Sequence, residues 1–70
     1  MATLKWQDAD EIGLQLSVKY PEVAPLAVRF SDLHRRVNEL EDFSDDPSAS
    51  NEGLLEAIQM AWQEYHERIR

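Results

Sequence analysis

Leu54-Leu55-Glu56-Ala57-Ile58-Gln59-Met60-Ala61-Trp62-Gln63-Glu64-Tyr65-His66-Glu67-Arg68-Ile69 is the stretch that decides the fold. Leu54, Leu55, Ile58, Ala61, Trp62, Tyr65 and Ile69 recur at steps of three and four, which lays them along one side of an α-helix. Glu52, Glu56, Gln59, Gln63 and Glu67 fall on the opposite side. So long an apolar stripe needs a surface to bury against, so this helix closes a core that the rest of the chain supplies. Acidic residues in its first turn, and Arg68 and Arg70 at its end, suit the helix macrodipole. Its start is open between Asp46-Pro47 and Ser50-Asn51, because both offer a cap.

Ahead of that helix lies the connector Leu40-Glu41-Asp42-Phe43-Ser44-Asp45-Asp46-Pro47-Ser48-Ala49-Ser50-Asn51-Glu52. From Val37 to Glu67 there is no Lys or Arg, yet nine of the chain's 14 acidic residues fall there. A solvated acidic loop is one reading, and a docking or cation-binding surface is the sharper one. Leu40 and Phe43 favour an ordered loop, since side chains of that kind ask to be buried and a disordered spacer rarely carries them. The loop is then pinned by its apolar members and holds its carboxylates outward.

Upstream, Leu33, Val37 and Leu40 stand at i, i+4 and i+7 and define a second helix, with Ser31 or Asp32 as its cap. His34, Arg35 and Arg36 lie off that stripe. Arg29, Arg35 and Arg36 lend slight support to a helix-turn-helix that reads DNA, but local ion pairs with Asp32 and Glu39 are the expectation, given the acidic half next door. A first helix is predicted from about Ala9 to Lys19. Asp8 is its expected N-cap, Glu11 closes a capping box, and Trp6 with Ile12 is placed for a hydrophobic staple. Ile12, Leu16 and Tyr20 share its buried face beside Ala9. Gly13 costs about 1 kcal/mol relative to Ala in a helix, so its presence points to a close packing contact. Pro21 stops this helix, and Pro25 opens a short helical turn through Leu26, Ala27 and Val28. The expected core is Leu16, Leu33, Val37, Leu40, Leu55, Ile58 and Trp62, in a single domain spanning residues 1–70.

Composition narrows the function. The net charge is −7 over 70 residues. Nucleic-acid binding needs Lys and Arg to neutralise phosphates, so this balance opposes it, whereas a basic protein surface or a cation is attracted. With no Cys there is no disulfide framework, thiolate zinc site or Cys-held iron–sulfur cluster. No apolar run approaches the roughly 20 residues of a membrane span and no basic-then-apolar signal segment opens the sequence, so a cytoplasmic protein is expected, and the agreement of the three apolar stripes points to a monomer. The calcium-loop pattern fails when started from Asp42, because Pro47 stands where Gly is required and Gly53 where Glu is required. What remains is a crowd of hard oxygen ligands in Glu39, Glu41, Asp42, Asp45, Asp46 and Glu52, a set suited to weak and unselective divalent binding. Enzyme readings are poor: there is no Cys nucleophile and no glycine-rich phosphate loop, and His34 and His66 fall in different helices. No catalytic residues are assigned.

The ordered set Leu4-Lys5-Trp6, Asp8, Glu11-Ile12-Gly13, Tyr20-Pro21, Val28-Arg29-Phe30, Asp32 and His34 resembles the small acidic IscX family. So do Leu40-Glu41-Asp42-Phe43, Asp45-Asp46-Pro47, Ala49-Ser50-Asn51-Glu52, Leu55-Glu56-Ala57-Ile58 and Trp62, and the likeness covers nearly the whole chain. The resemblance implies an all-α fold, a small three-helix domain of modified winged-helix/helix-turn-helix type with an acidic surface in place of the DNA-binding one. It implies a role in bacterial iron–sulfur cluster assembly, as an adaptor or regulator that binds the cysteine desulfurase where frataxin and ferredoxin also bind. It further implies Fe²⁺ held weakly by surface carboxylates. On this sequence the metal residues are then Glu41, Asp42, Asp45 and Asp46, and the partner-binding residues Glu39, Glu41, Asp42, Asp45, Asp46 and Glu52. Family members tend to end in an acidic tail, whereas this chain runs Tyr65-His66-Glu67-Arg68-Ile69-Arg70, which puts any role of such a tail in doubt. Two functions follow: an adaptor whose main ligand is the desulfurase, or an iron donor or sensor whose main ligand is Fe²⁺.

Overall fold

A computed structural model describes residues 3–69, and the side chains of 3–68. Three helices carry the fold: α1 (Ala9–Lys19), α2 (Phe30–Asn38) and α3 (Glu52–Ile69). Two short 3-10 turns, Pro25–Ala27 and Pro47–Ala49, sit in the connections. Among the described residues the β content is one isolated parallel bridge between Leu4 and Phe43. The all-α expectation is therefore met, while the described residues contain no hairpin of the kind a wing would need.

The three apolar stripes meet as the spacing predicts. Leu16, Leu33, Val37, Leu40, Leu55, Ile58 and Trp62 are all buried. Ile12, Leu4 and Trp6 join them, and the last two enlarge the expected core. The outer end of the α3 stripe at Ile69, and Arg70 beyond it, lie outside the described side chains. Tyr65, one turn earlier, donates its hydroxyl to Asp10 (3.0 Å) and ties the far part of α3 to the start of α1. The Pro25–Ala27 turn is held on α3 by Gln59, whose amide donates to the carbonyls of Pro25 (2.9 Å) and Val28 (3.3 Å).

Helix boundaries match the sequence better than the caps do. Asp8 precedes α1, but its carboxylate accepts from the Lys5 backbone N–H (2.9 Å) and not from the helix, so the capping box with Glu11 does not form. A reciprocal bond from the Asp8 N–H to the Lys5 carbonyl (2.9 Å) closes that turn and holds the side chain there. Neither Ser31 nor Asp32 caps α2, which begins one residue before Ser31, at Phe30. Asp32 instead serves Arg35 and Arg36 inside the helix. Both candidate starts of α3 are in use. Asp46 caps the 3-10 turn by accepting from the Ser48 N–H (3.0 Å), and Asn51 accepts from the Leu54 N–H (2.9 Å) at the helix proper.

The main packing is α1 against α3. Gly13 makes it possible: a Cβ there would lie 2.7 Å from the Ala61 Cβ and from the Trp62 backbone nitrogen, and 2.8 Å from the Ala61 carbonyl carbon. Because two of these neighbours are backbone atoms, no side-chain rotation relieves the clash. The close approach outweighs the roughly 1 kcal/mol that Ala offers over Gly in a helix. Gly13→Ala is expected to lower stability by about 1–3 kcal/mol, the usual cost of overpacking. A thermal or urea melt checks this, and a variant as stable as the parent would place α1 further from α3 than described.

Candidate functional site

The acidic connector is fastened along its length by the N-terminal segment. The Leu4 N–H donates to the Asp42 carbonyl (2.7 Å), and the Ser44 N–H returns a bond to the Leu4 carbonyl (2.9 Å). One residue on, the Lys5 ammonium donates to the Ser44 carbonyl (2.6 Å). Trp6 supplies two more donors, its backbone N–H to the Asp45 carboxylate (3.0 Å) and its indole N–H to the Asp46 carbonyl (2.7 Å). The indole is only 1% exposed. It stacks on His34 of α2 with centroids 5.0 Å apart and meets Phe43 edge-on at 4.7 Å.

His34 adds a fastening from the other side. Its Nε2 lies 2.6 Å from the Pro47 carbonyl, which can only accept, so that nitrogen carries a proton. Asn38 lies 3.2 Å from Nδ1 and donates to the His34 carbonyl (2.8 Å), steadying the ring from the next turn. The expected burial of Leu40 and Phe43 is present, with Leu40 in the core and Phe43 half-buried against it.

The six acidic residues singled out by the sequence have distinct surroundings. Glu39, at the end of α2, accepts from Arg35 (3.3 Å to each oxygen) and from the Tyr20 hydroxyl (3.4 Å). Glu41 is exposed. Asp42 is exposed, and its carboxylate accepts from the Gln15 amide (3.3 Å). Asp45 is half-buried and accepts from the N–H groups of Trp6 and Asp46. Asp46 takes the Ser48 N–H and hydroxyl on one oxygen. Glu52 is exposed in the first turn of α3. Among the described residues, none of Glu41, Asp42, Asp45, Asp46 and Glu52 forms an ion pair within the usual contact distance.

Asp45, Asp46, Asp42 and Glu41 are neighbours on one loop, but they do not converge. Among the described residues, no three His, Asp or Glu side chains gather as a metal-holding group. Their oxygens are of the kind Fe²⁺ accepts, yet two of the four carboxylates are turned toward backbone N–H groups. This arrangement does not fit a preformed iron chelate, although single carboxylates remain open to a hydrated ion.

Arg35 and Arg36 form the local pairs expected of them. Arg35 bonds Asp32 and Glu39, and Arg36 bonds Asp32 (3.2 Å) while its guanidinium lies 4.6 Å from the centre of the Tyr20 ring. The basic groups of α2 are thus spent on that helix and on Tyr20. Sequence spacing marks Trp6 only as a staple residue and misses its role as anchor. The overlooked signal is the alternation Leu4-Lys5-Trp6, which is strand-like in period and buries its first and third members.

Fold and surface together define a small helical domain with an ordered acidic face. The chain matches the Iron-sulphur cluster assembly family over residues 4–67. It is also 56% identical over 62 residues to Uncharacterized protein PA3808 of Pseudomonas aeruginosa, an alignment covering 89% of this chain and 94% of that protein. The chain belongs to the iron–sulphur cluster assembly family, and its membership supports a role in that process. No helix among the described residues is long and apolar enough to cross a membrane.

Hydrogen bonds make the loop sensitive to acid. The Trp6 and Asp46 N–H groups hold the Asp45 carboxyl below the usual range, and the Ser48 N–H and hydroxyl do the same for Asp46. A carboxyl whose folded value is depressed adds stability above its unfolded pKa, near 4, and loses it as pH falls through the folded value. Asp45→Asn removes one such group, so the variant should lose less thermal stability than the parent on acidification below about pH 4. Melting curves across that range check it, and parallel losses in the two proteins would detach Asp45 from the acid response.

Proposed function

We propose that the protein is an acidic adaptor of iron–sulfur cluster assembly that docks on the cysteine desulfurase through the connector face. What supports this reading is a single observation: among the described residues, Glu41, Asp42, Asp46 and Glu52 form no ion pair and are mounted on a loop fixed to the core, without converging on a metal point. Fixed, divergent carboxylates suit a broad basic surface better than a single ion, because each can meet a separate Lys or Arg. Partners that share such a basic surface would exclude one another, and competition with frataxin and ferredoxin follows in that form. The proposed role is one of contact and not of catalysis.

The docking is electrostatic, so association should be fast at low salt and fall as salt shortens the screening length to about 8 Å at 0.15 M. The informative variant is Glu41→Lys with Asp42→Lys. Among the described residues the Glu41 carboxylate bonds nothing and the Asp42 carboxylate bonds the Gln15 amide alone, whereas reversal of Asp45 would also break the bond to Trp6. The double reversal is expected to bind the desulfurase at least about tenfold more weakly, about 1.4 kcal/mol, with an unchanged circular dichroism spectrum. Parent-like affinity at low salt would remove the connector as the docking face.

Fe²⁺ is proposed as a weak, hydrated ligand of the same carboxylates, with Glu41, Asp42, Asp45 and Asp46 as its contacts. Protons compete for carboxylates, so its affinity should fall toward pH 4 and with added salt. An anaerobic NMR titration with Fe²⁺ should broaden the amide signals of residues 41–46 first. Broadening centred on His34 and His66, with those amides untouched, would overturn the carboxylate site and leave the docking face to be judged by its own variant.

A further inference from the structure

Beside the acidic connector, α1 turns an apolar strip toward solvent that plays no part in the core. Leu14 and Val18 stand one helical turn apart, and with Leu40 they line an open groove of about 540 Å³ that Gln15, Lys19, Glu41 and Asp42 complete. Val18 is 67% exposed, the highest figure among the exposed large apolar side chains of the described residues. Both Leu14 and Val18 lie off the Ile12–Leu16 face that packs inward: Leu14 is half-buried and Val18 exposed, so core packing does not account for Val18. Val at an exposed helical position also slightly weakens the helix.

The charged residues that line this strip are two carboxylates and one cation, a net negative set. Glu41 and Asp42 are exposed on its connector side and pair with no Lys or Arg among the described residues. Lys19, the cation among the lining residues, is drawn off: its ammonium donates to the Glu39 carbonyl (3.1 Å) and lies 5.6 Å from the centre of the Tyr20 ring. We propose that the groove receives a short cationic amphipathic segment of a protein partner, its apolar side chain seated on Leu14, Val18 and Leu40 and its Lys or Arg against Glu41 and Asp42. A free cation gains nothing from the apolar lining. An acidic segment or an anionic lipid surface is repelled by the lip and by the net charge of −7. The distance from Leu14 to Val18 is about 6 Å along the helix, enough for an anchor of one or two side chains. Charge on the connector then guides the encounter, and the apolar anchor slows departure.

This inference deepens the docking reading, with the desulfurase as the protein expected to present the segment, but the chemistry of the groove is testable apart from that identity. Three synthetic helical peptides are the probes, one of Leu and Lys, one of Leu and Glu, and one of Ser and Lys. They are titrated into ¹⁵N-labelled parent and Val18→Ser protein, whose exposed substitution leaves the core intact. The Leu–Lys peptide should shift the signals of Leu14, Val18 and Leu40 to Asp42, while the Leu–Glu peptide leaves them in place. Val18→Ser should weaken the Leu–Lys peptide by about five- to tenfold, the scale of losing an apolar anchor, and leave the Ser–Lys peptide unaffected. Shifts that miss the groove, equal binding of the Leu–Lys and Ser–Lys peptides, or an unaffected Val18→Ser overturn the proposal. The desulfurase is then titrated into the same two proteins. A parent that binds it while Val18→Ser binds equally well, with the peptide result negative, leaves the docking reading standing and the groove refuted. A parent that ignores the desulfurase while the Leu–Lys peptide fills the groove upholds the groove and removes the docking reading.

Discussion

The structure depends on the burial of one indole. Trp6 lies between His34 and Phe43, and both of its N–H groups are given to the acidic connector. Without that anchor, a loop crowded with Glu41, Asp42, Asp45 and Asp46 would spread to relieve the repulsion among its charges. Magnitudes favour the anchor. Like charges about 4 Å apart in water repel by about 1 kcal/mol, and truncating a buried Trp costs about 3–5 kcal/mol. The backbone N–H of Trp6 serves the carboxylate most in need of it, since Asp45 is the half-buried member of the group, while the indole N–H holds the backbone at Asp46. The acidic face is therefore an ordered part of the fold, built by residues 39 to 40 positions away in the chain.

Placement of the positive charges matters as much. Exposed ion pairs such as Arg35 with Asp32 and Glu39 contribute little stability, typically under about 1 kcal/mol. Their larger effect is on what an approaching molecule meets. Arg35 and Arg36 are neutralised within α2, and Lys5 and Lys19 direct their ammonium groups at the backbone carbonyls of Ser44 and Glu39. The connector's carboxylates outnumber these two ammonium groups, so the field there stays net negative. The same geometry separates the two ligands that such carboxylates could serve. A chelated ion needs several oxygens aimed at one point, whereas a basic protein surface needs them spread and steady, and the loop meets the second condition.

The helices are legible because burial on one face imposes a period, and Leu33, Val37, Leu40, Leu55, Ile58 and Trp62 display it without interruption. Pro21 and Pro25 mark their boundaries for covalent reasons that no tertiary contact overrides. The capping of α1 is not legible. Asp8 has the right identity and position, but the Lys5 N–H competes for its carboxylate, and the outcome depends on a turn that sequence spacing does not reveal. For the candidate site, composition shows that the connector is acidic and that Leu40 and Phe43 pin it. It does not show that Asp45 is engaged by Trp6 while Glu41 is free of the fold, because that difference comes from a pairing across the chain. The groove at Leu14 and Val18 is hidden for a related reason: a stripe is read for what it buries, and these residues lie just off it.

The parallel bridge between Leu4 and Phe43 also sets an order of events during synthesis. Residues 4–6 leave the ribosome before their partners in the connector, which come nearly 40 positions later. Closing so long a span carries an entropic cost that helices, with their local bonds, do not meet. The N-terminal segment thus waits, with Trp6 unsheltered, until α2 and the connector have been made. The acidic face is complete only once the whole core is in place, so a molecule that recognises this face in its ordered form also discriminates finished chains from nascent ones.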